Sequence, residues 1–302
     1  MKRIYSVFLV LALIIVGGVV LAFNWQDDTN LSNVTAEVDK DMQVEANSLV
    51  ADAPVTKGDP ESVDQPASGQ PAVAAGAYLL SGKKLVGWKT DKRWPVASVS
   101  KLVSAYVVEA DMAADDQITL SEEVVATMGD AGLFKAGEVF SVKDMMKAML
   151  MVSSNDAAGA LADYYGHDEF VAEMNAAALR IGMANSHFVE PSGLSVQNQS
   201  TVEDLVELAA YILRHEPEIL AITRQSTDFI VDSNTGAVRE LVNINWFAGS
   251  TGFLGGKTGS LPEADGNLLS IFSVPGYGEP VIVVVLGSKD RFGETRDILE
   301  NL

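Results

Sequence analysis

Cysteine is absent from the sequence, and histidines and basic residues are scarce. Without cysteine the chain has no disulfide, no cysteine nucleophile and no thiolate metal site. Its three histidines, His167, His187 and His215, do not stand at the H-x-x-x-H spacing of a zinc site, so we predict no metal. The formal net charge of −20 argues against a broad contact with nucleic acid, whose phosphates bind lysine and arginine.

A long apolar run follows two basic residues at the N-terminus. Lys2 and Arg3 precede "YSVFLVLALIIVGGVVLAF", and the next charge is Asp27. This charge pattern predicts that the N-terminus stays in the cytoplasm and the rest of the chain is exported. The run is just long enough to span a bilayer, and "LAFNW" lacks a clean cleavage site. We therefore expect residues 1–23 to be an uncleaved signal anchor. A cleaved signal peptide, which would release a secreted protein, is the alternative.

Residues 24–72 are predicted to be a disordered linker. The segment contains ten acids and two lysines and shows little apolar periodicity. Such a composition cannot bury enough apolar surface to offset the entropy of ordering the chain. We expect this linker to hold the folded domain, residues 73–302, away from the membrane.

The hydrophobic pattern of residues 73–302 predicts one sheet and a lobe of helices. Two strands are expected in "AVAAGAYLLSGKKLVGWK", and after residue 225 the predicted strands are "STDFIVD", "FLGGKTGS", "NLLSIFSV" and "VIVVVLGS". Between them the chain looks helical over 121–215, with helix starts marked by Ser141 and Thr201. These elements predict an α/β fold of the α+β type, in which an all-helical lobe lies beside the sheet.

A lysine interrupts an apolar segment in "WPVASVSKLVSAYVV", for which a helix is predicted over about 95–111. Lys101 follows Ser98 by three residues, so on a helix both side chains lie on one face. A serine hydroxyl needs a base before it attacks a carbonyl, and a buried lysine becomes such a base when its pKa falls. The S-x-x-K spacing alone is common, since Ser81 and Lys84 repeat it in a turn that we expect to be exposed.

Two further motifs have both a structural and a catalytic interpretation. The S-S-N at 153–155 is the only S-x-N of the chain, and by itself it indicates an N-cap for the following helix. The K-T-G at 257–259 is the only one of its kind, and by itself it indicates an edge-strand lysine before a turn. Taken together with S-x-x-K and in this order, the two motifs favour a shared catalytic site over separate structural roles.

In that order the three motifs resemble those of the penicillin-recognising serine acyltransferases, which comprise penicillin-binding proteins and serine β-lactamases. "WPVASVSKL", "HFVEPSGL" and "GGKTGSLPEADGNL" are similar to segments of the low-molecular-mass D-alanyl-D-alanine carboxypeptidases. The resemblance covers about residues 73–300. It implies a β-lactamase/transpeptidase-like fold, with a mainly antiparallel sheet flanked by helices, an all-helical lobe, and the site between them.

The resemblance also implies catalytic roles. Ser98 would be the nucleophile, Lys101 its general base, and Ser153 would pass a proton to the leaving amine. The backbone N–H groups of Ser98 and Ser260 would form the oxyanion hole. In the carboxypeptidases a histidine often follows K-T-G, and Ser260 departs from that pattern, which bears on substrate preference rather than on the N–H donor.

Four residues are implied to bind the substrate. Asn155 would hold its amide backbone, and Thr258 would hydrogen-bond its terminal carboxylate. Lys257 would attract that carboxylate and help to keep the pKa of Lys101 low. Gly259 would let the substrate lie along the strand, where a side chain would block it. All the reacting groups belong to the protein, so no cofactor is implied.

The expected function is that of a serine D,D-carboxypeptidase, which acts on peptidoglycan stem peptides ending in D-Ala-D-Ala and is acylated by penicillins. The motifs do not separate it from a D,D-endopeptidase or transpeptidase. A serine β-lactamase is disfavoured because no E-x-x-L-N segment occurs between Asn155 and Lys257. A non-catalytic binding module of the cell envelope is disfavoured because a buried, unused lysine is costly. The larger carboxypeptidases also carry a C-terminal β-domain and a membrane-binding tail, and we expect the N-terminal anchor to replace that tail.

Overall fold

The computed structural model of the protein describes residues 71–129 and 131–302. The predicted signal anchor, residues 1–23, and nearly all of the predicted linker lie outside the described residues. Within the described ranges, no helix has the length and apolar composition needed to cross a bilayer.

Eleven strands and eight α-helices make up the described chain. The strands are β1 (Ala74–Leu79), β2 (Lys84–Trp88), β3 (Trp94–Pro95), β4 (Gln117–Thr119), β5 (Val139–Ser141), β6 (Gln199–Ser200), β7 (Thr227–Val231), β8 (Val238–Val242), β9 (Phe253–Leu261), β10 (Asp265–Phe272) and β11 (Val281–Ser288). The helices are α1 (Lys101–Asp111), α2 (Glu122–Val125), α3 (Val142–Met151), α4 (Asn155–Tyr165), α5 (His167–Ile181), α6 (Val202–His215), α7 (Pro217–Thr223) and α8 (Arg291–Glu300).

Five antiparallel strands form the main sheet, in the order β2-β1-β11-β10-β9. The central strand β11 is buried along its whole length, which explains its nearly continuous apolar sequence. Strand β9 lies at one edge, so one side of its backbone is available to a further extended chain. The predicted antiparallel sheet with flanking helices is confirmed.

The two faces of the sheet pack against different helices. Side chains alternate along β11, so Ile282 and Val284 join the core that continues into the helical lobe. Val283 and Val285 belong to the opposite core, which includes Ile298 of the C-terminal helix α8. The sheet is therefore the middle layer between the lobe with α6 on one side and α8 on the other.

Serine and threonine side chains cap several helix starts in the lobe. The Oγ of Ser141 accepts a hydrogen bond from the N–H of Asp144 at 3.0 Å, and the Oγ1 of Thr201 accepts one from the N–H of Asp204 at 3.1 Å. Both predicted starts are confirmed. Ser154 caps α4 in the same way, so the structural interpretation of S-S-N is also correct.

The helix expected from about Pro95 begins later than predicted. Trp94–Pro95 instead pairs with Gln199–Ser200 as a short antiparallel ladder, and Ala97–Ser100 forms a 3₁₀ turn before α1 starts. Ala97 has φ +49°, which is incompatible with a continuous right-handed helix. The prediction of a helix from about Pro95 is therefore wrong at its start, because a short strand and a 3₁₀ turn precede α1.

The strand "STDFIVD" does not join the main sheet, contrary to the prediction of a single sheet. It is β7, and it pairs with β8 as a separate two-stranded hairpin. Ile230 and Leu241 are buried in the core shared with the helical lobe, and Lys147 of α3 forms an ion pair with Asp228. The alternating pattern correctly indicated a strand with one buried face, but that face packs on α3 instead of extending the sheet.

Candidate active site

Three separate parts of the fold bring the predicted site residues together. The 3₁₀ turn and the start of α1 supply Ser98 and Lys101, and the α3–α4 junction supplies Ser153 and Asn155. The edge strand β9 supplies Lys257. Two lysine-centred contacts connect these parts, one around Lys101 and one around Lys257.

Lys101 lies against three oxygen atoms. Its Nζ is 2.9 Å from the Oγ of Ser98, 2.8 Å from the Oδ1 of Asn155 and 2.5 Å from the carbonyl oxygen of Ser192. The amide and carbonyl oxygens only accept hydrogen bonds, so they match the two N–H groups of a neutral amine. The lone pair of that amine is then directed to the Ser98 hydroxyl, which is the arrangement a general base requires.

Burial lowers the pKa of Lys101 to about 7, and the nearby charge of Glu190 opposes this shift. None of the Lys101 surface is exposed, so the charged ammonium loses its hydration. A large fraction of Lys101 is therefore unprotonated at neutral pH. The low pKa of Lys101 is therefore explained mainly by burial rather than by the charge of Lys257.

Lys257 reaches across to the helical lobe. Its Nζ donates to the Oγ of Ser153 at 2.9 Å and to the carbonyl of Thr258 at 3.0 Å. Burial lowers its pKa well below the usual lysine value, and the charges of Lys101 and Arg291 lower it further. Two buried ammonium groups are thus disfavoured together unless an anion binds between them.

Ser153 has a strained backbone. Its φ is +61°, in the left-handed region that costs an ordinary residue about 1–2 kcal/mol. The conformation turns the chain between α3 and α4 and places the Ser153 hydroxyl on Lys257. Strain of this kind persists only where surrounding packing enforces it, and here it positions a polar group at the site.

Both polar ends of the Asn155 side chain are engaged within the protein. Its Oδ1 accepts from Lys101, and its Nδ2 donates to the carbonyl of Met128 at 2.6 Å. This geometry gives Asn155 a role that the motif did not reveal, since it orients the amine of Lys101. Its predicted contact with substrate remains a prediction.

Gly259 lies against the 3₁₀ turn. A Cβ at this position would be 2.6 Å from the carbonyl oxygen of Val96 and 3.1 Å from the backbone nitrogen of Ser98. Sequence reasoning explained this glycine by access for substrate, and the structure adds that β9 can only approach the turn without a side chain there. The approach brings β9 beside the Ser98 N–H. Ser260, the next residue, is exposed, and Thr258 is buried.

Glu190 was not predicted as a site residue, although it lies in the quoted "HFVEPSGL". Its carboxylate accepts from the N–H groups of Ser192 and Gly193, both at 2.7 Å, from the Ser192 hydroxyl at 2.6 Å and from the Asn198 amide at 2.8 Å. These bonds shape the loop that holds the Ser192 carbonyl on Lys101. A lone acid in a Pro-Ser-Gly segment was a weak signal, because the contacts that define it form only in the fold.

Arg291 is the second residue that sequence reasoning missed. It starts α8, and its guanidinium donates to the carbonyl of Gly259 at 2.7 Å. Burial lowers its pKa from the usual arginine value, yet a guanidinium stays charged in proteins. Arg291 is therefore a lasting positive charge beside β9, and nothing in its local sequence distinguishes it from a surface arginine.

The second S-x-x-K copy has a different environment, as expected. Ser81 lies in an exposed turn and bonds to Glu279 through its N–H and hydroxyl. Lys84 pairs with Glu203 at 3.0 Å and contacts Thr90. The copy shows that spacing alone does not form the site.

Comparison with known proteins now identifies the family. Residues 64–290 match the peptidase S11 family, described as D-alanyl-D-alanine carboxypeptidase. The chain belongs to this family.

Individual family members are moderately similar. The chain is 37% identical to the D-alanyl-D-alanine endopeptidase of Escherichia coli over 46% of this chain and 47% of that protein. It is 31% identical to the E. coli D-alanyl-D-alanine carboxypeptidase DacC, over 76% of this chain and 61% of that protein. It therefore matches less than two thirds of the length of either relative.

A solved structure agrees in fold. Penicillin-binding protein D2 from Listeria monocytogenes, in its ampicillin-bound form, superposes with a TM-score of 0.66 at 31% identity. The match covers 76% of this chain and 96% of that one.

Gly193 lies in the loop shaped by Glu190 and has φ +84°, so the effect of a side chain at this position can be tested. A Cβ there would lie 2.2 Å from the carbonyl oxygen of Ala97. We expect Gly193→Ala to lower the free energy of unfolding by about 2–5 kcal/mol, because left-handed strain and overpacking add. Chemical denaturation measures the change. Gly82→Ala is the matched control, since Gly82 has φ +89° and no neighbour within 4 Å of the added Cβ. Equal losses in the two variants would contradict the contact argument.

Proposed function

We propose that the protein is a serine D,D-peptidase that hydrolyses peptidoglycan stem peptides ending in D-Ala-D-Ala through an acyl-enzyme on Ser98. The observation that carries this proposal is the buried Lys101, whose Nζ is 2.9 Å from the Ser98 hydroxyl and whose pKa is about 7. An amine with that pKa accepts a proton at neutral pH, and its two fixed acceptors direct it to the serine.

Acylation follows from this geometry. Lys101 takes the Ser98 proton while the Oγ attacks the carbonyl carbon of the penultimate residue. The N–H groups of Ser98 and Ser260 stabilise the oxyanion that forms. The C–N bond then breaks, and the proton that Lys101 took from Ser98 reaches the leaving amine through the Ser153 hydroxyl, so Lys101 is neutral again and an ester with Ser98 remains. Water attacks the ester as Lys101 takes its proton, and Lys101 returns that proton to the Ser98 oxygen as the acid is released.

The terminal carboxylate of the substrate binds among Lys257, Thr258 and Arg291. A carboxylate beside Lys257 raises the pKa of that lysine, because an opposite charge favours the ammonium form. The substrate carboxylate thus supplies the negative charge that stabilises the ammonium form of Lys257. Asn155 holds the amide backbone of the peptide while keeping Lys101 oriented. No cofactor enters these steps.

The protein acts outside the cytoplasm, and residues 1–23 anchor it to the membrane. The charge pattern around the apolar run supports this arrangement. The acidic segment 24–72 serves as a linker to the catalytic domain, residues 73–302. Penicillins act as inhibitors by acylating Ser98, which is consistent with the ampicillin-bound structure of the Listeria relative.

Ser98 is tested by a fluorescent penicillin. We expect stable labelling of the full-length protein, loss of the label in Ser98→Ala, and release of one alanine from a pentapeptide stem by the wild type, detected by mass analysis. Ser81→Ala is the matched control, because Ser81 has the same S-x-x-K spacing in an exposed turn. An unlabelled wild type would refute the proposal. Label that is lost within seconds would favour a β-lactamase.

Lys101 is tested as the general base. Lys101→Ala is expected to slow penicillin acylation about 10²–10⁴-fold, the usual contribution of general-base catalysis. The rate is measured by stopped-flow labelling, and a thermal melt shows whether the variant is folded. Lys84→Ala, in the exposed copy, should acylate at the wild-type rate. Near-normal acylation by a folded Lys101→Ala protein would contradict the role of Lys101 as general base.

The pH dependence tests the protonation of Lys101. Below its pKa of about 7 the amine is protonated and cannot accept the Ser98 proton, so acylation should rise with pH and level off above that value. Glu190 raises this pKa, so Glu190→Gln should move the midpoint of the rate profile to lower pH. Glu203→Gln, which removes a carboxylate near Lys84, should leave the midpoint in place. A midpoint that stays or rises in Glu190→Gln would contradict the electrostatic argument.

A further inference from the structure

A cavity of about 550 Å³ lies in the helical lobe, away from the proposed active site. Its walls come from the end of α1, the first half of α3, helix α7 and the start of β7. Because an α-helix rises about 1.5 Å per residue, the lining residue Val108 lies roughly 10 Å along the axis of α1 from Lys101. None of the proposed catalytic residues lines this cavity, so it is a separate site.

Part of the cavity wall is apolar and belongs to the main core. Val108, Val142 and Met146 are buried in that core, and Met112 and Ile222 are half-buried against it. Methionine side chains are unbranched and polarisable, so they adapt to the shape of an aliphatic chain. A volume of about 550 Å³ is in the range of sites that enclose small molecules.

Two carboxylates, Glu109 of α1 and Glu218 of α7, also line the cavity. Neither of them forms an ion pair within the part of the chain that the structure describes. Burial raises the pKa of Glu109, and the charges of Glu216 and Glu218 raise it further. The carboxylates therefore repel one another, and a cation bound beside them would relieve that repulsion.

The lysines of the cavity do not neutralise these carboxylates. Lys147 pairs with Asp228 at 3.1 Å and with Asp144 at 3.7 Å, and it donates to the carbonyl of Phe229 at 3.1 Å. Lys143 is exposed and forms no ion pair with any described residue. Helix α3 thus adds one uncompensated positive charge against two negative charges from α1 and α7, so the cavity has an excess of negative charge.

We propose that this cavity binds an amphipathic primary amine, which is an ammonium group on an aliphatic chain. The ammonium group lies beside Glu109 and Glu218, and the chain lies on Met112, Met146 and Ile222. A fatty acid of the same length is disfavoured, because the carboxylates would repel its charge. Binding in this cavity is independent of the proposed function, since no group of its wall takes part in the acyl-enzyme steps.

The ligand class is tested by isothermal titration calorimetry of the full-length protein with octylamine, which is protonated at pH 7. 1-Octanol has the same chain without the charge, and methylamine has the charge without the chain. We expect octylammonium to bind about fivefold more tightly than octanol, and methylammonium to show no measurable binding. Equal affinity for octanol would overturn the amine class. Equal affinity for methylammonium would leave only an acidic surface cluster and overturn the site.

Charge variants locate the ammonium group. Glu109→Gln should weaken octylammonium binding about fivefold, because it removes an opposite charge. Lys143→Gln should strengthen binding about twofold, because it removes a like charge. Glu207→Gln is the control variant, since Glu207 is an exposed acid on α6 outside the cavity, and it should bind as the wild type does. An equal loss in Glu109→Gln and Glu207→Gln would reduce the effect to net charge and contradict the site.

A cavity-filling variant locates the aliphatic chain. Ala221 is half-buried in the α7 wall, so Ala221→Phe should abolish octylammonium binding, and a thermal melt shows whether this variant is folded. Unchanged binding in a folded Ala221→Phe protein, or no binding of octylammonium by the wild type, would overturn the inference. Normal penicillin labelling of the same samples would leave the proposed function intact. Loss of labelling with normal octylammonium binding would reject the proposed function and keep this site.

Discussion

Lys101 is fully buried, with its Nζ 2.9 Å from a serine hydroxyl, and much of the surrounding structure serves this contact. An isolated buried ammonium is strongly disfavoured, so the side chain becomes a base instead of a surface charge. Asn155 and the Ser192 carbonyl occupy its two N–H groups. Glu190 shapes the loop that places the Ser192 carbonyl against Lys101. The carboxylate therefore helps to orient the amine although it forms no hydrogen bond with it.

The site also depends on backbone positions that a helix or strand would not adopt by itself. Ala97 and Ser153 have positive φ values, and each adjoins a group of the site. Such strain costs about 1–3 kcal/mol per residue and must be held by the rest of the fold. The loop at Gly193 packs against Ala97, and Lys257 donates a hydrogen bond to the Ser153 hydroxyl. Gly259 completes the arrangement, since only a residue without a side chain lets β9 approach the turn that carries Ser98.

The two cations beside the K-T-G strand have different partners. Lys257 donates to Ser153 across the site, whereas Arg291 donates to the backbone carbonyl of Gly259. Burial lowers the pKa of Lys257 well below its usual value, whereas the guanidinium of Arg291 stays charged. The strand therefore has one lasting positive charge and one lysine whose ammonium form needs a nearby anion.

The sequence by itself determined the fold class, the helix starts at Ser141 and Thr201, and the motif residues around Ser98. These features follow from local rules, namely periodicity, capping and the chemistry required at a nucleophile. Tertiary structure alone decided that Pro95 lies in a strand, that β7 stays outside the main sheet, and that Glu190 and Arg291 belong to the site region. The physical reason is that these features depend on contacts between residues far apart in the chain. Glu190 and Arg291 reach their partners only after the loop and α8 have packed, and local sequence carries no record of those partners.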